Sequence, residues 1–290
     1  MNSSILQSDG KALPESERSA LIKLLGDDDP AVYPVIRRRI VSLGPPAAEW
    51  LRPHLLSDDP VLRRHATDIV NHFARISADN AFLGYCLQHG EDLDIEKGSL
   101  LLAHTQFPEL NPAAYTALLD QYAAEIHEHL PQAAGAEATL GHINQHLFTR
   151  LGFRGNETNY YDPANSFLNR VLDRRTGNPI NLCLVYILVA RRLGLPIVGI
   201  GLPGHFLCRH QTLASEFYID AFDRGKLMTK ADCVQYLVRG NYDLRDEYLA
   251  PVSPRRMLTR ICGNLHQIYL REGREEEMTR FQRYLVALAR

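Results

Sequence analysis

Apolar positions recur at helical spacing over most of this chain and alternate as in strands over one short stretch. Val32, Val35, Ile36 and Ile40 mark one helix, and Val61, Leu62, Ala66, Ile69 and Val70 mark a second. Leu100, Leu101 and Ala103 mark another. Leu118, Leu119, Tyr122 and Ile126 place one within 115–130, and Ile143, Leu147 and Leu151 place one within 141–151. Phe167, Leu168, Val171 and Leu172 line the face of a helix opened by Asp162-Pro163 and ended at Gly177. The next segment, 179–193, is apolar on nearly every side from Leu182 to Ala190, which predicts a fully buried helix. Asn178 is placed to cap it, and Pro179 takes the first helical position, where an N–H would be unsatisfied anyway. Gly194-Leu195-Pro196 stops it. Residues 197–202, 205–210 and 216–222 then read as strands, with 211–215 as a hairpin loop. Beyond Gly225 the pattern is helical again, over 229–237, 254–270 and 274–289. Residues 1 to about 12 predict no ordered element, and Ala133–Ala138 reads as an Ala/Gly linker.

Two early segments echo each other. Leu24-Leu25-Gly26-Asp27-Asp28-Asp29-Pro30 recurs as Leu55-Leu56-Ser57-Asp58-Asp59-Pro60, each followed by a helix that the Asp before the proline can cap. Helix pairs repeating at about 30–47 residues build stacked solenoids, so 1–90 resembles short HEAT-type repeats; a plain helical bundle fits the same pattern. The last two helices meet at Glu272-Gly273 and resemble one tetratricopeptide-type unit. The expected fold class is α+β: mostly helical, with a core containing a small antiparallel sheet. Its expected regions are 1–90, 91–228 and 229–290.

Composition narrows the function classes. The 290 residues carry a formal charge of −2, which gives no general attraction to nucleic acid or an anionic membrane. No run of about 18 apolar residues exists to span a bilayer, and the polar start lacks the pattern of a signal peptide. Five scattered cysteines, an odd number with no C-x-x-C pair, argue against a disulfide framework and a cysteine zinc site. A cytoplasmic, reduced setting follows as the expectation. His142/His146 lacks the Glu of a zinc-peptidase helix, and His127/His129 diverge by about 200° on a helix, so these are expected on the surface and no metal is expected. Gly199-Ile200-Gly201-Leu202-Pro203-Gly204 spells a dinucleotide fingerprint, but a strand follows it rather than a helix, so no cofactor is expected.

His205 and Asp220 lie fifteen positions apart on neighbouring strand-like segments. An antiparallel hairpin can bring them together, as a thiol acyl-transfer enzyme requires of its base and orienting carboxylate. Such an enzyme also holds its thiol at a helix start, where free N–H groups favour the thiolate.

These residues carry a family resemblance over about 95–225. Gly152-Phe153-Arg154-Gly155-Asn156, Tyr161-Asp162-Pro163-Ala164-Asn165-Ser166 and Arg174-Arg175-Thr176-Gly177-Asn178-Pro179-Ile180 open it. Gly194-Leu195-Pro196, Pro203-Gly204-His205-Phe206 and Tyr218-Ile219-Asp220-Ala221-Phe222 complete it. Together they resemble the SirB branch of the transglutaminase-like superfamily. The resemblance implies a papain-like core in which His205 and Asp220 match the catalytic His and Asp. It also implies a nucleophile at or beside Pro179, where this chain has no thiol. Cys183, one helical turn on, is the candidate replacement, about 6 Å further along the axis and inside the apolar run. Cys208, three positions from His205, falls on the opposite strand face and reads as a core thiol.

The favoured expectation is a degenerate, non-catalytic transglutaminase-like protein that binds a protein or peptide partner through the old cleft or the helical flanks, with no nucleic acid and no membrane. The alternative is a thiol peptidase, amidase or transglutaminase using Cys183, His205 and Asp220. A third reading gives His205 and Asp220 a small ligand or metal, with Asn165, Asn169 or Asn181 nearby.

Overall fold

A buried helix and the sheet laid against it organise the larger part of this protein, as seen in a computed structural model that describes residues 13–131, 134–212 and 215–290. The expectations for residues 1–12 and for Ala133 lie outside the described residues. The chain divides into two compact units, 1–77 and 78–290.

In the first unit, α1 (Glu15–Leu25), α2 (Val32–Ser42), α3 (Ala47–Leu51) and the start of α4 (Pro60–Gln88) enclose a core of Leu21, Leu25, Ile36, Ile40, Leu51, Ile69 and Phe73. The repeated Asp-Pro signals work unequally. Asp59 Oδ1 accepts from Val61 N at 2.8 Å and Leu62 N at 3.2 Å, so α4 starts at the proline. Asp29 Oδ1 accepts only from Ala31 N, at 2.8 Å, and α2 starts two residues later.

In the second unit, α5 (Ile95–Gln106), α6 (Pro112–Glu128) and α7 (Ala136–Asn144) precede a π-helical turn, Gln145–Arg150. Helix α7 takes in the second half of the expected linker, Ala136–Ala138, because Ala-rich sequence helicates readily once one face is buried. The wide π turn shifts the helical register, and His146 is only 5% exposed, its ring tilted against that of Tyr122 at 6.0 Å. The expected surface position for His146 is therefore corrected.

Strand β1 (Arg154–Gly155) pairs in parallel with β2 (Thr176–Gly177), on either side of a 3-10 turn (Pro163–Ser166) and α8 (Leu168–Arg174). The helix expected to end at Gly177 ends instead at Arg175, in the left-handed conformation (φ 53°). Its carbonyl accepts from Arg154 N at 3.0 Å, and that of Gly177 from Asn156 N at 3.1 Å, so the end of the segment is recruited into a strand pair.

Helix α9 (Pro179–Arg192) follows. Asn178 caps it, accepting from Asn181 N at 3.0 Å, and it is buried almost throughout, as its all-round apolar pattern predicts. Its end is tied to α5 by Glu96, which accepts from Arg191 and Arg192 at 2.9 Å. Five antiparallel strands form the sheet: β3 (Ile197–Ile200), β4 (Leu207–Gln211), β5 (Glu216–Asp220), β6 (Lys226–Met228) and β7 (Pro251–Val252), in the order β6-β5-β4-β3-β7. One face, with Cys208 and Ile219, joins the α9 core; the other, with Leu207 and Tyr218, packs on Cys233 and Leu237 of α10 (Lys230–Arg239). The α+β expectation thus describes the fold.

Helices α11 (Pro254–Arg271) and α12 (Glu275–Leu288) form a closing hairpin. Arg255, 7% exposed, fastens it: its guanidinium donates to Cys86 O, His89 O, Ala287 O and Leu288 O at 2.8–3.0 Å. One buried cation thus satisfies carbonyls at two helix ends that have no intrahelical partner. Among the described residues no helix is long and apolar enough to cross a membrane.

Candidate functional site

Gly204 (φ +70°) turns the chain between β3 and β4, so His205 stands before the strand rather than in it. Cys208 pairs with Ile219, and that register would set Leu207, not His205, opposite Asp220. The imidazole nevertheless reaches back, and His205 Nε2 lies 2.7 Å from Asp220 Oδ2. Both side chains are mostly buried, at 15% and 13% exposure. The other carboxylate oxygen, Oδ1, accepts from Phe222 N at 3.0 Å and Asp223 N at 3.2 Å. Asp220 is therefore fixed from two sides, and it fixes the ring. An imidazole that donates through Nε2 keeps the Nδ1 lone pair, the arrangement of a base with its orienting carboxylate.

Arg260 of α11 secures the turn from below. Its Nη2 donates to Leu202 O at 2.7 Å and His205 O at 2.8 Å, with the guanidinium 5.5 Å from the Phe206 ring. Burial lowers the pKa of Arg260. The Phe222 and Tyr236 rings flank His205 at 6.1 and 5.8 Å, and Tyr236 donates to Pro203 O at 3.1 Å.

The start of α9 borders a cleft of about 210 Å³ lined by Tyr160, Tyr161, Asn178, Asn264, Gln267 and Arg271. The Tyr160 ring lies 6.0 Å from Phe222, which in turn packs on His205. Burial raises the Tyr160 pKa, as does Tyr161, so the phenol stays neutral. A chain of asparagines holds this loop. Asn165 accepts from Asn156 at 3.0 Å and donates to Asn159 O and Tyr160 O, while Asn178 donates to Ser166 Oγ at 2.9 Å. The Tyr-Asp-Pro-Ala-Asn-Ser stretch is thus a buckle that carries Tyr160 to the helix start.

Cys183 is elsewhere in its chemistry. It is 0% exposed, and its thiol donates to Phe206 O at 3.4 Å. Among the described residues no hydrogen bond joins it to His205. Cys208, also 0% exposed, donates to Cys183 O at 3.5 Å, and burial pushes its pKa well up. Asn165, Asn169 and Asn181 make no hydrogen bond to His205 or Asp220 among the described residues, and no cluster of metal-ligating side chains occurs among them. The glycine-rich run covers the end of β3 and a turn, and no helix opens there.

Sequence reasoning missed Tyr160, Tyr161 and the α11 residues. The second group left a signal: Arg260, Asn264, Gln267 and Arg271 recur at helical spacing as a polar stripe.

A His–Asp pair at the margin of a small antiparallel sheet, beside a capped buried helix, defines the class as an α+β fold of transglutaminase-like type. The profile of the transglutaminase-like superfamily matches residues 113–263, and the chain belongs to that superfamily. It is 35% identical to a UPF0162 protein of Xylella fastidiosa, over 66% of this chain and 70% of that one. It is 30% identical to a UPF0162 protein of Pseudomonas aeruginosa, over 61% of this chain and 65% of that one. A mouse F-box only protein 21 is 38% identical over 142 residues, 46% of this chain but 22% of that longer protein. No solved structure matches it.

Proposed function

We propose that this chain is a non-catalytic member of the SirB branch of its superfamily, and that the cleft at the start of α9 binds a peptide segment of a protein partner. The observation that carries this reading is the state of the sulfur. Pro179 opens the helix where the nucleophile would stand, and the nearest thiol on that helix, Cys183, has no exposed surface and donates a hydrogen bond to a backbone carbonyl. An apolar-walled site with no reachable thiolate cannot form an acyl-enzyme. What remains is a recognition surface: two exposed tyrosines, three amides and a guanidinium around a concavity. Aromatic and arginine side chains suit an extended peptide, because they offer large contact area and paired donors. The match to 22% of an F-box only protein supports use of this fold as a module within a larger chain. The first-unit helices as HEAT-like repeats and the α11–α12 hairpin as a tetratricopeptide-like unit belong to this reading. So does a cytoplasmic setting, which five free buried cysteines suit.

Two measurements test it together. Purified protein is assayed for amine incorporation, amidase and peptidase turnover, and no turnover dependent on His205 is expected. Peptides selected by display on the wild-type protein should lose about tenfold in affinity on Tyr161→Ala or Arg271→Ala. Turnover that disappears in both Cys183→Ala and His205→Ala would establish the thiol-enzyme alternative instead.

A further inference from the structure

Phe222 also borders a second concavity, of about 450 Å³, outside the cleft. Three separate segments build it. Strand β1 brings Arg154, the junction of α8 and β2 brings Arg174 and Thr176, and the turn after β5 brings Asp223 and Arg224. Gly155 forms part of the wall because the Phe222 ring presses on it; a Cβ there would lie 2.5 Å from the ring.

Three guanidiniums from three segments thus converge on one hollow. Arg174 donates one nitrogen to Asp162 at 2.7 Å. The guanidiniums of Arg154 and Arg224 make no hydrogen bond or ion pair among the described residues. Of the two acids on the wall, Asp223 has Lys226 at 3.7 Å, which leaves Glu157 as the unpaired one. Like charges gathered in a concavity repel one another until an anion joins them. Arg224 also sits in left-handed backbone (φ 52°), which a side chain with a Cβ adopts at a cost.

We propose that this concavity binds a phosphate monoester, with Arg154 and Arg224 as the anion clamp. A phosphate monoester, with three acceptor oxygens and about −1.5 to −2 charge at neutral pH, can engage both guanidiniums at once, whereas the two oxygens of a carboxylate are taken up by one guanidinium fork. Arginine supplies the paired, planar donors that phosphate oxygens accept. The volume suits a small phosphorylated molecule or a phosphorylated side chain. The site stands apart from the peptide cleft but is mechanically joined to His205. The backbone N–H groups of Phe222 and Asp223, in its wall, both donate to Asp220 Oδ1.

The test is an amide-resolved NMR titration of the full chain at constant ionic strength. One arm uses glycerol 2-phosphate, another a short phosphoserine peptide, and a third acetate. Saturable shifts are expected at the Gly155, Thr176, Asp223 and Arg224 amides with at least one phosphate probe. Arg154→Gln and Arg224→Asn, each made singly, should weaken that binding about tenfold or more. Asn tolerates the left-handed backbone, so the second variant keeps the turn. Response to the peptide alone assigns the site to a phosphorylated side chain, and response to the small ester alone to a free phosphorylated molecule. The absence of saturable shifts with both phosphate probes overturns the proposal, as does an equal response to acetate or binding unchanged in both variants.

Discussion

His205 and Asp220 meet at 2.7 Å although the strand register does not oppose them. The contact exists because Asp220 is already held by two backbone N–H groups and the Gly204 turn swings the imidazole back over it. Asp220→Ala removes three acceptor contacts from a mostly buried place and should cost about 2–4 kcal/mol, measured by urea unfolding. Asp220→Asn keeps a carbonyl oxygen for the two N–H groups and should cost clearly less. Equal losses in the two variants would contradict this division of labour between the oxygens.

All five cysteines are free and buried. Burial pushes the Cys86 thiol up to about 11 and the Cys233 thiol up to about 12. Because all five are shut off from solvent, native protein near neutral pH should react with iodoacetamide much more slowly at every cysteine than a free thiol does, Cys183 included through its burial alone. Labelling should accelerate with urea as the thiols become exposed. Rapid modification of Cys183 in the folded protein, located by mass spectrometry, would remove the ground for reading the site as non-catalytic.

Helix α9 was legible because its signals are local: an Asn-Pro start, an all-round apolar run and a Gly-Leu-Pro stop. The His–Asp pair was legible as two positions, since hairpin-joined strands bring nearby residues together. The short strands were not. β1, β2, β6 and β7 are two or three residues long, and pairing rather than pattern makes them strands; β7 even begins with a proline, tolerated at a sheet edge. His146 was misplaced because a π turn cannot be read from side-chain spacing. The Arg260 contact joins residues more than fifty positions apart, and its partners are carbonyls, which leave no trace in the side-chain sequence.

His146 gives the pH dependence. Burial lowers its pKa below the ordinary 6.5, outweighing Glu125 at 3.6 Å, which raises it; Arg150 and His129 also act to lower it. The folded state thus binds fewer protons than the unfolded state as pH falls through that region. Stability is present above about 6.5 and is lost on acidification below it. Urea midpoints between pH 7.5 and 5 should fall, and His146→Phe should flatten the slope. An unchanged slope would assign the acid sensitivity to other groups.

Arg260 carries the last prediction. Its guanidinium supports the His205 turn without belonging to the sheet, and burial strengthens each of its hydrogen bonds by excluding water. Leu202 O also accepts from His205 N at 3.2 Å, whereas His205 O has Arg260 as its one partner among the described residues. Arg260→Met should therefore cost about 1–3 kcal/mol, chiefly through the orphaned His205 carbonyl. Arg260→Lys keeps a charge but not the flat fork, and should recover only part of the loss. Because the turn sets the imidazole, both variants should broaden the His205 ring signals in NMR while the Cys208–Ile219 pairing in the sheet persists. If ring mobility stays at the wild-type level in Arg260→Met, the β3–β4 turn is rigid by its own backbone, and α11 serves only as a lid over it.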